Sequence, residues 1–232
     1  MKRREMKKAA KENLRGRRFW PFVMGLVFLL LCLPAAVFNF ASGVLNEYVT
    51  MVEEQGLVVE ALAHLDTATL LQYASLCSLI GIVLYYLLDC HAQVGLARYF
   101  IRFGRERANL FTFLGGFFKK YLRTIWVFIL AGFKLLLWTL LLIVPGIVKS
   151  VEYSMLHFVM ADHPEMTSRE VFCETRALMK GCKWKLFCLE LSFIGWYALC
   201  ALTLALALPF FLPYHHATVA EFYHYAKSRR EA

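Results

Sequence analysis

A chain of 232 residues that is 59% hydrophobic and 16% aromatic stands well above the ~45–50% apolar share of soluble domains, which excludes an ordinary water-soluble domain. Its net charge of +9 comes from Lys and Arg set beside apolar runs, the pattern of cytoplasmic membrane flanks and not of a nucleic-acid surface. The seven cysteines lie mostly in apolar segments with no CxxC pair, so they read as buried hydrophobes or reduced thiols, and not as a disulfide framework or a zinc site.

Residues 1–18 carry Lys2, Arg3, Arg4, Lys7, Lys8, Lys11, Arg15, Arg17 and Arg18 against Glu5 and Glu12. This is a cytoplasmic N-terminus that attracts anionic lipid headgroups. A first span follows from Trp20 to about Ala41, with Trp20 as an interfacial anchor. The apolar stretch exceeds the ~7–15 residues of a signal-peptide core, so it reads as a retained anchor. Residues 42–69 hold Glu47, Glu53, Glu54, Glu60 and Asp66 without Lys or Arg, which makes them an acidic external loop. That loop is either a solvated surface or a receptor face for a cationic ligand.

The second span, Leu70 to Leu88, has Ala74, Ser78 and Gly81 on one face, small residues that admit a neighbouring helix. Residues 90–123 then interleave Arg98, Arg102, Arg105, Arg107, Lys119, Lys120 and Arg123 with Tyr99, Phe100, Phe103, Phe111, Phe113 and Tyr121. Between two membrane spans, this predicts cytoplasmic amphipathic helices on the inner leaflet, broken at Gly115 and Gly116. The third span, Thr124 to Val144, is expected to stop at Pro145 and Gly146.

Charge then sets the topology. Left outside, the next segment would expose Arg169, Arg176, Lys180, Lys183 and Lys185 on the wrong face. Ile147 to Ala161 is therefore expected to cross back as a fourth, short segment, with Lys149 near the outer turn. Residues 162–183 form a cytoplasmic helix opened by a Thr167/Glu170 capping box and closed at Gly181. Its inward face reads Val171, Phe172, Thr175, Leu178 and Met179.

Lys180, Gly181, Lys183, Trp184 and Lys185 anchor the start of a fifth span that runs to Leu208. Pro209 and Pro213 bracket a turn, and Tyr214 to Lys227 is a sixth, polar segment. The predicted fold is thus all-α: one integral membrane domain over residues 1–232, a polytopic transmembrane helical bundle of about six membrane segments. Both termini are placed in the cytoplasm.

The candidate polar site within the membrane comprises Lys134, Glu152, Glu221, His224, Tyr214 and Thr218. A charge at mid-span costs ~2.5–3.5 kcal/mol on insertion scales, so Lys134 needs a partner or a path to water. Counting ~1.5 Å per residue from the outer turns puts Lys134 ~16 Å deep, Glu152 ~9 Å and Glu221 ~12 Å, within reach of one another. Lys134 is then part of a polar pathway, half of a structural ion pair, or a snorkelling side chain. Glu221 and His224 make one E-x-x-H spacing, where a di-iron bundle needs two and further Glu residues, so no metal or other cofactor is expected. Phosphate-loop, zinc-protease, nucleophile-elbow and dinucleotide signatures are missing, and no catalytic residue is assigned.

The series PGI (Pro145–Ile147), EYSM (Glu152–Met155), ADHPEM (Ala161–Met166), LMKGCKWKLF (Leu178–Phe187), LSFIGW (Leu191–Trp196), PY (Pro213 and Tyr214) and EFY (Glu221–Tyr223) resembles the bacterial membrane family known as domain of unknown function 975. The resemblance is strongest from about Leu135 to Tyr225. That family is similar in turn to membrane domains of some glycerophosphodiester phosphodiesterases. The resemblance implies a bacterial plasma (inner) membrane location and no established activity, and this chain has no room for a soluble catalytic barrel. Expected partners are the lipid bilayer, anionic headgroups and other membrane proteins. The expected role is a non-enzymatic transporter-like module or an accessory subunit of an envelope or peptide-export system. A membrane-embedded lipid-acting enzyme and a structural or receptor protein are the alternatives.

Overall fold

A computed structural model describes residues 3–15, 19–30, 37, 40, 42–44, 47, 67–103, 108, 110–117, 121–203 and 207–231. The acidic segment 42–69 lies mostly outside the described residues, and the basic Arg17, Arg18, Arg105, Arg107, Lys119 and Lys120 lie outside them. The chain forms α1 (Arg3–Arg15), α2 (Phe19–Leu30), α3 (Thr67–Phe103), α4 (Leu110–Phe117), α5 (Tyr121–Leu141), α6 (Ile143–Tyr153), α7 (Leu156–Asp162), α8 (Ser168–Met179), α9 (Lys183–Leu191), α10 (Ile194–Leu202) and α11 (Leu208–Glu231). Among the described residues there is no strand, and the all-α class holds.

Among the described residues, three helical stretches are long and apolar enough to cross a membrane: Ser75–Phe103, Tyr121–Leu141 and Lys183–Leu202. The other expected segments are of a different kind. Within the described residues the first, α2, is a shorter apolar helix. The fourth is two short helices, α6 and α7, and the sixth, α11, is long but carries Glu221, Lys227, Arg229 and Arg230.

By packing, the chain divides into two compact units, Leu29–Asp89 and the remainder, Met1–Phe28 with Cys90–Ala232. In the first unit, α3 exposes Tyr73, Leu76, Leu79, Ile80 and Val83. Apolar side chains on all sides are what a helix in hydrocarbon carries.

The second unit holds the core. No proline interrupts α3, and it runs on past the expected end of the second span, Leu88, to Phe103. Cys90, His91, Val94, Leu96, Ala97, Tyr99 and Phe100 are all buried. Gly95 permits the close approach of α4, since a Cβ there would lie 2.9 Å from the Phe113 ring. The His91 ring stacks on Tyr121 at 3.9 Å, and Arg98 donates to the Gly115 carbonyl at 3.1 Å. Much of the basic and aromatic interleaving that suggested a surface helix is thus used in packing. Gly115 and Gly116 stay within α4 and do not break it.

Helices α5 and α6 form the most closely packed pair, a hairpin. The reversal occurs at Leu142, one extended residue (φ −161°, ψ 137°), and not at Pro145. Pro145 falls in the first turn of α6, where a missing N–H costs no intrahelical bond and the fixed φ suits a helix start. Gly146 fits directly against Thr139, whose Oγ1 would lie 2.7 Å from an added Cβ.

The capping box of α8 forms as expected, with Glu170 N–H donating to Thr167 Oγ1 and Thr167 N–H to the Glu170 carboxylate at 2.7 Å. Val171, Phe172, Thr175, Leu178 and Met179 are its buried face. Gly181 follows with φ +76°, the left-handed conformation that ends many helices.

The fifth span is interrupted at Ser192 and Phe193, between α9 and α10. The Ser192 hydroxyl bonds the Leu189 carbonyl, a local bond that competes with the helix ladder. Pro209 and Pro213 do not bracket a turn; both lie inside α11. Helix α2 meets these prolines at Gly25, where an added Cβ would stand 3.4 Å from both the Pro209 carbonyl oxygen and Pro213 Cδ.

The basic N-terminal segment is a packed helix. Met6 and Ala10 are buried, and α1 lies along α11. Arg3 and Lys7 donate to the carbonyls of Cys188 and Ser192, each at 3.2 Å, and Lys7 Nζ sits 4.1 Å from the centre of the Phe193 ring. These cations meet the negative end of α9, where orphan carbonyls favour positive charge.

Candidate functional site

Glu152 is the centre of the polar network. Its position near the end of α6 places the carboxylate against α8 and α9, and the residue is fully buried. Three cations surround it: Lys149 one turn earlier at 2.9 Å, Arg176 Nε on α8 at 3.5 Å, and Lys183 at the first position of α9, in direct contact. A carboxylate removed from water is tolerable only with such neutralisation. Lys149, expected near the outer turn, and Arg176 and Lys183, expected inside, therefore meet on one side chain.

Lys134 does not reach either carboxylate. Its ammonium lies 3.8 Å from the centre of the Phe172 ring on α8, a cation–π contact. Phe172 packs edge-on against Tyr153 at 5.6 Å, which puts Lys134 beside the Glu152 cluster without joining it. Glu221 faces α1 instead, accepting from Asn13 Nδ2 at 2.8 Å. His224 Nε2 sits 3.1 Å from the Ile101 carbonyl oxygen, so the two ends of the E-x-x-H spacing serve different neighbours. Among the described residues no group of three His, Cys, Asp or Glu side chains is arranged to hold a metal.

The remaining expected site residues are local in their bonds. Thr218 donates to the Tyr214 carbonyl one turn back at 2.8 Å, and Tyr214 packs on Phe193 and Trp196. Of the anchors, Trp184 is 73% exposed and Trp20 45% exposed, the open indoles an interface would take up. Lys185 donates to the Tyr225 hydroxyl, at 2.5 Å, and Lys180 is the C-terminal cap residue of α8.

Sequence reasoning missed a second network built on Asp162. Tyr223 donates to its Oδ2 at 2.8 Å and Lys227 at 2.6 Å, joining α7 to the end of α11. Burial opposes the charge on Asp162, but the Lys227 ammonium and the Tyr223 hydroxyl outweigh it and hold the carboxyl below its ordinary range. Glu190 receives His215 at 2.9 Å, and Arg230 pairs with Glu174. Arg229 donates to the Gly181 carbonyl at 3.1 Å and to Cys182 Sγ at 2.9 Å. Each pair spans 25 or more residues of sequence, so no local spacing announces it.

A half-open cavity of roughly 470 Å³ opens between α1, α2, α10 and α11. Its walls are mostly apolar, formed by Phe22, Trp196, Phe210, Pro213 and Tyr214, with Lys11 as the one cation among the described lining residues.

The family comparison falls on the same part of the chain. Residues 140–230 match the model of a family described as a protein of unknown function, DUF975. This stretch, less than half of the chain, is similar to that family. No curated protein and no solved structure matches the chain. The DUF975 stretch bears out the resemblance read from PGI, EYSM, ADHPEM and LMKGCKWKLF. It contains the partners of Glu152, Asp162, Glu174 and Glu190 named above, whereas Lys134, Arg3, Lys7 and Asn13 reach it from the preceding residues.

Proposed function

We propose that this chain is a non-enzymatic, multi-pass protein of the bacterial inner membrane, both termini cytoplasmic, acting as an accessory subunit of an envelope or export system. One observation carries the reading. The buried Glu152 carboxylate is clasped by cations of α6, α8 and α9, so this polar cluster ties three helices together. A side chain used this way supports a rigid scaffold more than a transport or catalytic step.

The test is Glu152→Gln in the full chain, reconstituted in lipid vesicles. Lower thermal stability without any ion or lipid flux in the parent protein fits the scaffold. Unchanged stability, together with flux that the substitution abolishes, would instead assign Glu152 to a pathway.

A transporter-like module is the second reading. The break at Ser192 and Phe193 and the proline inside α11, Pro213, favour it, because interrupted helices recur at transport sites. Pro213 lines the 470 Å³ cavity, a volume within the range that holds a small ligand. Flux that survives Glu152→Gln but falls with Trp196→Ala would favour this reading.

A further inference from the structure

The tip of the α5–α6 hairpin is a continuous run of exposed apolar residues, Leu140 to Val144. Leu140 is 83% exposed, Ile143 and Val144 71%, Leu141 69%, and Leu136 and Leu142 63%. Such a surface in water would be an aggregation site; here it has a charged base.

That base is fixed by direct contacts. Lys149, Arg176 and Lys183 share the Glu152 carboxylate, and Lys134 lies over Phe172, which packs on Tyr153 beside Glu152. Four cations against one carboxylate leave a net charge of +3 at the root of the hairpin. Trp138, near Lys149, and the exposed Trp184 add two indoles at the same place. Cations with Trp mark the headgroup level of a bilayer. Helix α8, which contributes Arg176, turns Arg169, Glu170, Cys173 and Arg176 outward, a face that only water or headgroups can accept.

The distances then decide how deep the tip can go. One carboxylate cannot touch cations on both sides of ~30 Å of hydrocarbon, so Lys149, Arg176 and Lys183 lie at one membrane level. From Lys134 to Leu141 is ~10 Å of helix, and from Ile143 to Lys149 is ~9 Å. This is enough to enter one leaflet and too little to cross both.

We propose that the α5–α6 hairpin is a re-entrant monolayer anchor: its tip enters the acyl region of one leaflet while Lys134, Lys149, Arg176 and Lys183 bind anionic phosphate headgroups of that leaflet. The structure offers a seat for such a lipid. Val144, Ile147, Val148 and Val151 of α6 face Trp184 and Phe187 of α9 across an apolar groove of roughly 200 Å³, and Lys183 stands on its lining. An acyl chain in the groove brings its phosphate to the cations. The hairpin replaces the crossing pair, Thr124 to Val144 and Ile147 to Ala161, expected from hydropathy and charge placement.

This inference rests on the membrane reading above, and the experiment separates the two. The full chain, with native cysteines other than Cys173 replaced, is reconstituted in vesicles of phosphatidylcholine with one-third phosphatidylglycerol. Resistance to alkaline carbonate extraction tests the integral-membrane reading by itself, and release of the protein would overturn that reading. In a carbonate-resistant sample, Ser150→Cys is expected to react with an impermeant maleimide from the same face as Cys173. A fluorophore on Leu142→Cys is expected to be quenched by lipids bearing a quencher on the acyl chain. Reaction of Ser150→Cys from the opposite face, or an unquenched Leu142 label, would overturn the anchor. Arg176→Gln, an exposed position, should lower the ratio of phosphatidylglycerol to phosphatidylcholine retained on purification about twofold, and an unchanged ratio would remove the headgroup assignment.

Discussion

The carboxylate of Glu152 on α6 and the ammonium of Lys183 at the start of α9 are in direct contact, and their burial is unequal: the Glu152 side chain is 1% exposed and that of Lys183 33%. Removing the carboxylate leaves three cations facing one another. Removing Lys183 leaves Lys149 and Arg176 still on Glu152. Glu152→Gln is therefore expected to destabilise by about 3 kcal/mol, the scale of a broken buried pair, and Lys183→Gln by clearly less. Thermal unfolding of the detergent-solubilised variants measures the difference.

Lys134 and Glu221 have no partner in common among their described contacts, the first lying on Phe172 of α8 and the second on Asn13 of α1. The Lys134→Gln and Glu221→Gln changes should then add to within about 0.5 kcal/mol, with no mutual rescue. A double variant more stable than either single one would show that they form a pair.

The two ends of α8 should respond separately. Thr167→Ala removes the hydroxyl that accepts from Glu170 N–H and is expected to cost about 1 kcal/mol. Gly181→Ala adds a side chain at φ +76°, with its Cβ 3.1 Å from the Arg229 guanidinium. It should cost about 1 kcal/mol or more, only part of it recovered by Arg229→Ala. The same unfolding measurement on single and double variants checks both.

Acid should weaken the junction of α7 and α11. The folded Asp162 carboxyl is held below its ordinary value of 3.8 by Lys227 and Tyr223, against the opposing effect of burial. A depressed acid stabilises the fold fully above its unfolded value and loses that contribution as pH falls through the folded value. Stability is thus expected to be retained above about pH 4 and to fall below it, with a shallower fall in Asp162→Asn. A pH series of unfolding midpoints for the two proteins tests this.

Cysteine labelling should follow burial. Cys173 on the outer face of α8 is exposed, while Cys182 is 1% exposed and accepts from Arg229. A membrane-impermeant maleimide applied to the face that holds α8 should modify Cys173 first, and Arg229→Ala should speed the reaction of Cys182. Equal rates in the parent protein would contradict the packing of the α8–α9 turn.

The sequence by itself determined the helical class, the apolar stretches, the capping box at Thr167 and Glu170, the buried face of α8 and the cap at Gly181. All of these depend on residues within one or two turns of one another, where periodicity and backbone preference act directly. Only the tertiary structure decided what Glu152 and Lys134 do. Their partners are chosen by which helix faces meet, and a depth counted from the turns put Lys134 only within reach of a carboxylate, whereas a nearby aromatic ring holds it.

The same reason explains α3 and α11. Local composition read Cys90–Phe103 as a surface helix and Pro213 as a turn, but burial against α4 and the close fit of Gly25 overrode both preferences. The joining of Lys149 and Lys183 on one carboxylate is likewise a long-range event. Charge placement along the chain cannot show it, because it arises only when α6 and α9 pack side by side.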